Sequence, residues 1–96
     1  AIKDFTNAID ISKDFAEAYY NRGLAKMAVS DLTSALEDFN AACDLRENFA
    51  EAYYNKGIIK IQQGYTKEGI NDLSKAGELG LYSAYSLIKK YQNQQQ

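Results

Sequence analysis

Apolar residues recur along this chain at steps of three, four and five, a spacing that places them on one face of a helix. Polar and charged side chains fill the positions between them, so each stretch is amphipathic. The clearest series is Tyr19, Leu24, Met27, Leu32, Leu36, Phe39 and Cys43, with Leu45 two positions further on. The pattern predicts six helices, over residues 1–12, 15–29, 32–46, 49–63, 66–78 and 81–92.

Two of the predicted helix starts carry the same polar signature. Asp14 precedes Glu17 by three positions, and Asn48 precedes Glu51 in the same way. An acceptor followed three residues later by glutamate can satisfy two backbone amides at a helix start. Helices are therefore expected to begin near positions 15 and 49.

Turn-forming residues separate the two helices that follow each of these starts. Ser30 and Asp31 interrupt the first pair. Gly64 is expected to stop the next helix, and Thr66 is expected to cap the one after it.

An internal repeat organises the chain. The six residues Ala16–Asn21 recur without change at Ala50–Asn55, 34 residues later. A unit of this length cannot bury its own apolar face, and stacked neighbours share a continuous core. The repeat divides a single domain into the second helix of a truncated unit at 1–15, a unit at 16–49 and another at 50–80.

The last segment differs from the units before it. Ser83-Ala84-Tyr85 echoes the start of a unit, but Lys89 stands where the unit has a glycine. Residues 81–92 are therefore expected to form a capping helix, with 93–96 as a polar tail. Its predicted apolar stripe is Leu81, Ala84, Tyr85, Ile88 and Tyr91.

The small and aromatic residues of the repeat carry a resemblance to a known family. The pattern is Tyr19-x2-Arg22-Gly23-x2-Lys26 followed by Ala35-x3-Phe39-x2-Ala42, and its second copy is Tyr53-x2-Lys56-Gly57-x2-Lys60 followed by Gly69-x3-Leu73-x2-Ala76. It resembles the tetratricopeptide repeat. The resemblance implies an all-α fold, a right-handed superhelix of stacked antiparallel helix hairpins at the C-terminal end of an array.

Close helix approach explains the small residues of this pattern. Gly23 is expected to face Ala35 across its hairpin, and Gly57 to face Gly69. Arg22 and its counterpart stand where the family usually has leucine, and their stems can lie along apolar surface. The closing proline of the family is also missing, with Lys13 at one of its positions.

In the resembled family the first helices of successive units line a concave groove that binds proteins or peptides. Asparagine side chains there can both donate to and accept from an extended backbone, and tyrosines form broad walls. The acidic residues of the groove disfavour an acidic ligand and favour an apolar or mildly basic one. The alternative is that these side chains only pack on neighbouring helices. The matching residues are Glu17, Tyr20, Asn21, Leu24, Met27, Glu51, Tyr54, Asn55, Ile58 and Ile61.

A second functional hypothesis concerns the first residues. Ile2, Phe5 and Ile9 form an apolar face that lacks the first helix of its unit. Either the chain is a piece of a longer array, or this face joins two copies of the chain. The alternative function is thus a structural, self-associating module without a peptide ligand.

Composition excludes several other functions. Eleven basic and thirteen acidic residues give a net charge of −2, so neither nucleic acid nor an anionic membrane is an expected partner. There is no histidine, and the single cysteine, Cys43, has no base partner, so no catalysis, metal or cofactor is expected. No stretch is apolar enough to span a membrane. The compartment stays undetermined, with the cytoplasm favoured.

Overall fold

The computed structural model describes residues 8–94, and within them the side chains of residues 14–93. These residues form five α-helices and no strand. The predicted all-helical fold is confirmed. The helices are α1 (Ala8–Ala28), α2 (Leu32–Leu45), α3 (Ala50–Gln62), α4 (Thr66–Glu78) and α5 (Ser83–Gln94).

The chain divides into two compact units. Unit 1, Ala1–Glu47, contains the hairpin of α1 and α2. Unit 2, Asn48–Gln96, contains the hairpin of α3 and α4, and α5 packs on α4. The largest fully buried side chains are Phe39 in unit 1, and Ile59 and Leu73 in unit 2. The predicted subdivision into repeats, 1–15, 16–49, 50–80 and 81–92, remains a prediction.

The predicted break between the first two helices is wrong. α1 continues without interruption from Ala8 to Ala28, so the described part of the chain has five helices where the pattern predicted six. Positions 9–17 contain neither glycine nor proline, and an established helix extends through such residues at little cost. At the matching place in the next unit, Arg46 is extended, with φ −141° and ψ 99°, and the chain turns.

The predicted capping interactions do not form either. Asp14 lies inside α1, and the N-cap of α3 is Phe49, which makes no side-chain capping bond. Thr66 is the first residue of α4 and its N-cap is Tyr65, again without such a bond. Phe49 is buried, so packing of an aromatic ring rather than a polar cap fixes the start of α3.

Three helices end at a residue with a left-handed backbone conformation. Ser30, Gly64 and Gly80 follow α1, α3 and α4 with φ of 65°, 98° and 112°. After each, the next amide donates to the carbonyl five positions earlier, at N···O distances of 2.8, 2.7 and 3.0 Å. This pattern satisfies carbonyls that the helix leaves unpaired, and it favours glycine at the left-handed position. Ser30 is the exception.

The close approach of α3 and α4 confirms the prediction for that hairpin. A Cβ atom on Gly57 would lie 2.6 Å from the carbonyl oxygen of Gly69, and one on Gly69 would lie 2.5 Å from that of Gly57. In unit 1 the nearest atom to a Cβ on Gly23 belongs to the ring of Phe39, at 2.8 Å, rather than to the expected Ala35. In the hairpin of α3 and α4 the two backbones are therefore in direct contact. In the hairpin of α1 and α2 the backbone of Gly23 packs on an aromatic ring.

The last helix packs as a cap on α4, within unit 2. Ala84 and Ile88 are buried in a cluster with Leu73 and Ala76, and Leu81, Leu87 and Tyr91 lie against it. Tyr85 was predicted to be part of this stripe, but half of it is exposed. Its ring covers Gly77, where a Cβ atom would come within 2.5 Å, so α4 and α5 make a third close approach that the sequence analysis missed.

Some predictions concern residues at the two ends. Ile2 and Phe5 lie outside the described residues, and Ile9 lies in α1 with its side chain not among those described. The predicted tail begins too early, because α5 extends to Gln94.

Candidate functional site

The five predicted groove residues of unit 1 lie on one face of α1, at positions 17, 20, 21, 24 and 27. We call this set the α1 stripe. Glu17, Asn21 and Leu24 are exposed, whereas Tyr20 and Met27 are half-buried. The ring of Tyr20 lies 5.5 Å from that of Phe39 at an angle of 53°, a tilted aromatic contact. The α1 stripe therefore presents an acid, an amide and an apolar side chain to solvent.

The equivalent set on α3, which we call the α3 stripe, is more enclosed. It comprises Glu51, Tyr54, Asn55, Ile58 and Ile61, and Glu51 is its most open member. Tyr54, Ile58 and Ile61 pack against the core cluster of unit 2. For these three residues the structure supports the packing interpretation that the sequence left open.

The two asparagines of these stripes differ in their surroundings. Asn21 is exposed, whereas Asn55 is half-buried and its Nδ2 donates to the carbonyl of Glu51 at 3.0 Å. Glu17, beside Asn21, lies 3.7 Å from the guanidinium of Arg46. The carboxylate of Glu17 is therefore partly neutralised in unit 1.

A buried aspartate in unit 1 explains the basic residues that depart from the family pattern. Asp38 is 3% exposed and receives two hydrogen bonds from Arg22, Nε to Oδ2 at 2.9 Å and Nη2 to Oδ1 at 2.8 Å. Lys26 adds an ion pair at 3.1 Å. Arg22 was expected only to lie along apolar surface, but it forms one arm of this cluster and its side chain stays 60% exposed.

The electrostatics of this cluster favour the charged forms. The hydrogen bond from Arg22 lowers the pKa of Asp38, burial opposes that change, and Lys26 supports it. The same contact raises the pKa of Arg22 above its usual value. A forked guanidinium–carboxylate pair of this kind fixes the orientation of both side chains.

Unit 2 holds the same cluster 34 residues later. Asp72 lies 2.9 Å from Lys60 and 3.9 Å from Lys56. The approach of Lys60 is an ion pair without hydrogen-bond geometry, since Oδ2 of Asp72 accepts no hydrogen bond from the described residues. Neither cluster was predicted from the sequence, although their common 34-residue spacing was a signal that could have found them.

Each basic residue that replaces the family's leucine also lies near an aromatic ring. Arg22 is 5.5 Å from the ring centre of Tyr19, and Lys56 is 5.1 Å from that of Tyr53. These are cation–π distances. The basic residue thus connects the aromatic position of the first helix to the aspartate of the second.

An open cavity of about 440 Å³ lies on the flank of unit 1, away from the α1 stripe. Tyr19 and Arg22 place it beside the aspartate cluster. Tyr19 was predicted to fill the core, and no opening was predicted here. The residues that line the cavity are Phe15, Ala18, Tyr19, Arg22 and Leu45.

Comparison with known families agrees with this architecture. A model described as TPR repeat matches residues 27–64, and one described as tetratricopeptide repeat matches residues 50–79. Together they cover more than half of the chain. This chain belongs to the tetratricopeptide repeat family. A comparison with curated protein sequences finds no match.

Family membership sets the general role of the chain. Tetratricopeptide repeats generally mediate protein–protein interaction, and proteins built from them are typically scaffolds rather than enzymes. The helices of the described residues include none that is long and apolar enough to cross a membrane. Over residues 8–94, no three acidic, histidine or cysteine side chains gather where they could hold a metal ion.

Proposed function

We propose that this protein is an interaction scaffold whose first-helix stripes, each within its own unit, bind an extended segment of a partner protein. The α1 stripe supplies most of the contact, because Asn21 and Leu24 are exposed side by side with the acidic Glu17. The observation that carries the proposal is that Asn21 and Leu24, one polar and one apolar, both face solvent on α1. The same helix is held in place by its contacts with α2.

The rigidity of α1 supports this role. Gly23 lies against Phe39, and Arg22 is held by Asp38, so these two positions of α1 are fixed on α2. A binding surface on a fixed helix loses less conformational entropy on association than one on a mobile loop. The α1 stripe is thus preorganised for a ligand.

Charge defines the ligand class. Glu17 and Glu51 carry negative charge at equivalent positions of the two stripes, with Arg46 partly balancing that of Glu17, and neither stripe itself contains a lysine or arginine. A terminal carboxylate or an acidic peptide would meet like charge, which opposes binding. The expected ligand is an apolar segment with one or two basic residues.

The experiment begins with peptides selected from a random library on the wild-type chain and titrated by calorimetry. Asn21→Ala combined with Asn55→Ala should weaken binding by about tenfold or more, with most of the loss at Asn21, whose exposed amide loses a hydrogen bond to the peptide backbone. The matched control is Asn40→Ala combined with Asn71→Ala, two exposed asparagines on α2 and α4. Circular dichroism should show all variants folded.

Two results would overturn the proposal. The first is a stripe variant that binds the selected peptides as tightly as wild type. The second is a selected pool dominated by acidic peptides, because the negative charge of the stripes would then play no part in recognition.

A further inference from the structure

The exposed face of α1 changes character along its length. Glu17, Asn21, Leu24 and Ala28 follow one another at steps of four, three and four, so they form one line along the helix. We call these four residues the α1 line, and all of them are exposed. Three belong to the α1 stripe, and Ala28 extends it by one turn. The line begins with a carboxylate, passes an amide and ends with two apolar side chains.

The equivalent positions of unit 2 do not repeat this gradient. They are Glu51, Asn55, Ile58 and Gln62. Ile58 is half-buried against the core cluster of unit 2, and Gln62 places an exposed polar side chain where unit 1 has Ala28. The open apolar end is therefore a property of α1 and not of the repeat in general.

The first end of the α1 line fits a cation. The side chain of Glu17 is 51% exposed, and the guanidinium of Arg46 stays 3.7 Å from it, beyond hydrogen-bond distance. The carboxylate can therefore accept a charge-assisted hydrogen bond from a lysine or arginine of a ligand. A basic residue of the partner is expected at this end.

The other end of the α1 line fits an apolar group. Leu24 is 38% exposed, and Ala28 lies one turn further on with only a methyl group. The small side chain of Ala28 leaves room above the helix for a large apolar side chain of the ligand. Contact with such a group removes apolar surface of both partners from water, which favours binding.

The distance between the two ends sets the spacing of the ligand. Glu17 and Leu24 are seven residues apart in α1, which is roughly 10 Å along a helix that rises 1.5 Å per residue. An extended segment advances about 3.3 Å per residue, so three residues span this distance. Asn21 lies between the two ends, where its amide can bond to the backbone of the residues in between.

We infer that the α1 line selects an extended segment in which a basic residue and a large apolar residue stand three positions apart. The basic side chain lies at Glu17, and the apolar side chain lies over Leu24 and Ala28. This inference rests on the proposed function. It adds the spacing of the two side chains, the place of each and the restriction of this preference to unit 1.

The test is a series of synthetic eight-residue peptides of glycine and serine that carry one lysine and one leucine. The leucine stands one to five positions from the lysine, in either order. Nuclear magnetic resonance titration of the whole chain measures each dissociation constant. For at least one order, the peptide with a separation of three should bind about tenfold more tightly than those with separations of one or five.

Variants of the two ends complete the test. Ala28→Gln installs the residue of unit 2 and should weaken binding of the best peptide by about fivefold or more, whereas Ala18→Gln, on the cavity flank of the same helix, should not. Glu17→Gln should remove the preference for lysine over serine in the peptide, and Glu37→Gln, at an exposed acid of α2, should keep it. Circular dichroism should show all four variants folded.

The outcomes separate this inference from the proposed function. Peptides that lose affinity in Asn21→Ala, but bind equally at every spacing and equally to Ala28→Gln, overturn the inference and leave the proposed function standing. Peptides that bind without any dependence on Asn21 overturn both. A series that shows no binding at any spacing also overturns the inference.

Discussion

Unit 1 and unit 2 each hold an aspartate at the same position of a second helix, buried in unit 1 and half-buried in unit 2, and they neutralise it with different chemistry. Asp38 meets a guanidinium through two hydrogen bonds at 2.9 and 2.8 Å and an ammonium at 3.1 Å. Asp72 meets two ammonium groups, at 2.9 and 3.9 Å. The charges are therefore the same in the two units, but the hydrogen-bond geometry around the aspartate differs.

This difference follows from the donors themselves. A guanidinium presents a planar fork that matches both oxygens of a carboxylate, whereas an ammonium is a point charge on a flexible stem. The side chain of Asp38 is correspondingly less exposed than that of Asp72, at 4% against 14%. Within this chain, the aspartate that is paired with a guanidinium is also the more deeply buried of the two.

The largest effect on stability is expected at the two glycines where the helices of each hairpin approach most closely. Gly57→Ala should destabilise unit 2 by about 3 kcal/mol, since the new Cβ would lie 2.6 Å from a backbone oxygen that cannot rotate away. Gly23→Ala should cost about 1 kcal/mol, because the ring of Phe39 can tilt. Urea unfolding followed by circular dichroism measures both. Equal losses would contradict the distinction between backbone and ring closure.

The next effect concerns the aspartates directly. Asp38→Asn should destabilise the chain by about 2 kcal/mol, since it weakens two charge-assisted hydrogen bonds to a buried acceptor. Asp72→Asn should cost about 1 kcal/mol, because its ion pairs lack hydrogen-bond geometry. The comparison uses the same unfolding measurement. A larger loss for Asp72→Asn would contradict the role assigned to the fork.

The pH dependence of stability should separate the two clusters further. The pKa of Asp38 is lowered in the folded state, so the unfolded chain takes up its proton first as the pH falls. The stability that this carboxylate contributes is present above its unfolded pKa of about 4 and is lost as the pH drops through the folded value. Thermal unfolding over this window should show a steeper decline for wild type than for Asp38→Asn. Parallel curves would contradict this contribution.

The smallest effect lies at the helix ends. Ser30 and Gly64 occupy equivalent left-handed positions, and only the serine carries a Cβ there. Ser30→Gly should stabilise unit 1 by about 0.5 to 1 kcal/mol, and Gly64→Ser should destabilise unit 2 by a similar amount. Thermal melts of the two variants check the opposite signs. A loss of stability in Ser30→Gly would contradict the assignment of strain to this residue.

Much of the fold could be predicted from the sequence, because a repeated motif constrains packing more strongly than any single residue. The 34-residue period predicted the hairpins, and the pairing of Gly57 with Gly69 predicted the close approach of α3 and α4. The continuity of α1 through Asp14 could not be predicted from the same motif. The capping signature is present there, but no residue prevents a helix from continuing, and Asp14 lies inside α1.

The candidate site was less predictable, since it depends on how side chains meet between helices. The α1 stripe was predicted from the resemblance to the family, but the partial burial of Ile58 and Ile61 follows from the core cluster of unit 2. The contact of Arg22 with Asp38 needs the register of two helices, 16 residues apart in sequence. The sequence contains both charges, but the hairpin geometry is what joins them.

The measurement that tests the interaction role most directly is a nuclear magnetic resonance titration of the isotope-labelled chain with a peptide selected for binding. Backbone amide shifts should change along the α1 stripe, at Glu17, Asn21 and Leu24, and should leave the outer faces of α2 and α4 unchanged. Shifts concentrated on α2 and α4, with the α1 stripe unaffected, would contradict the assignment of the first-helix face as the binding surface.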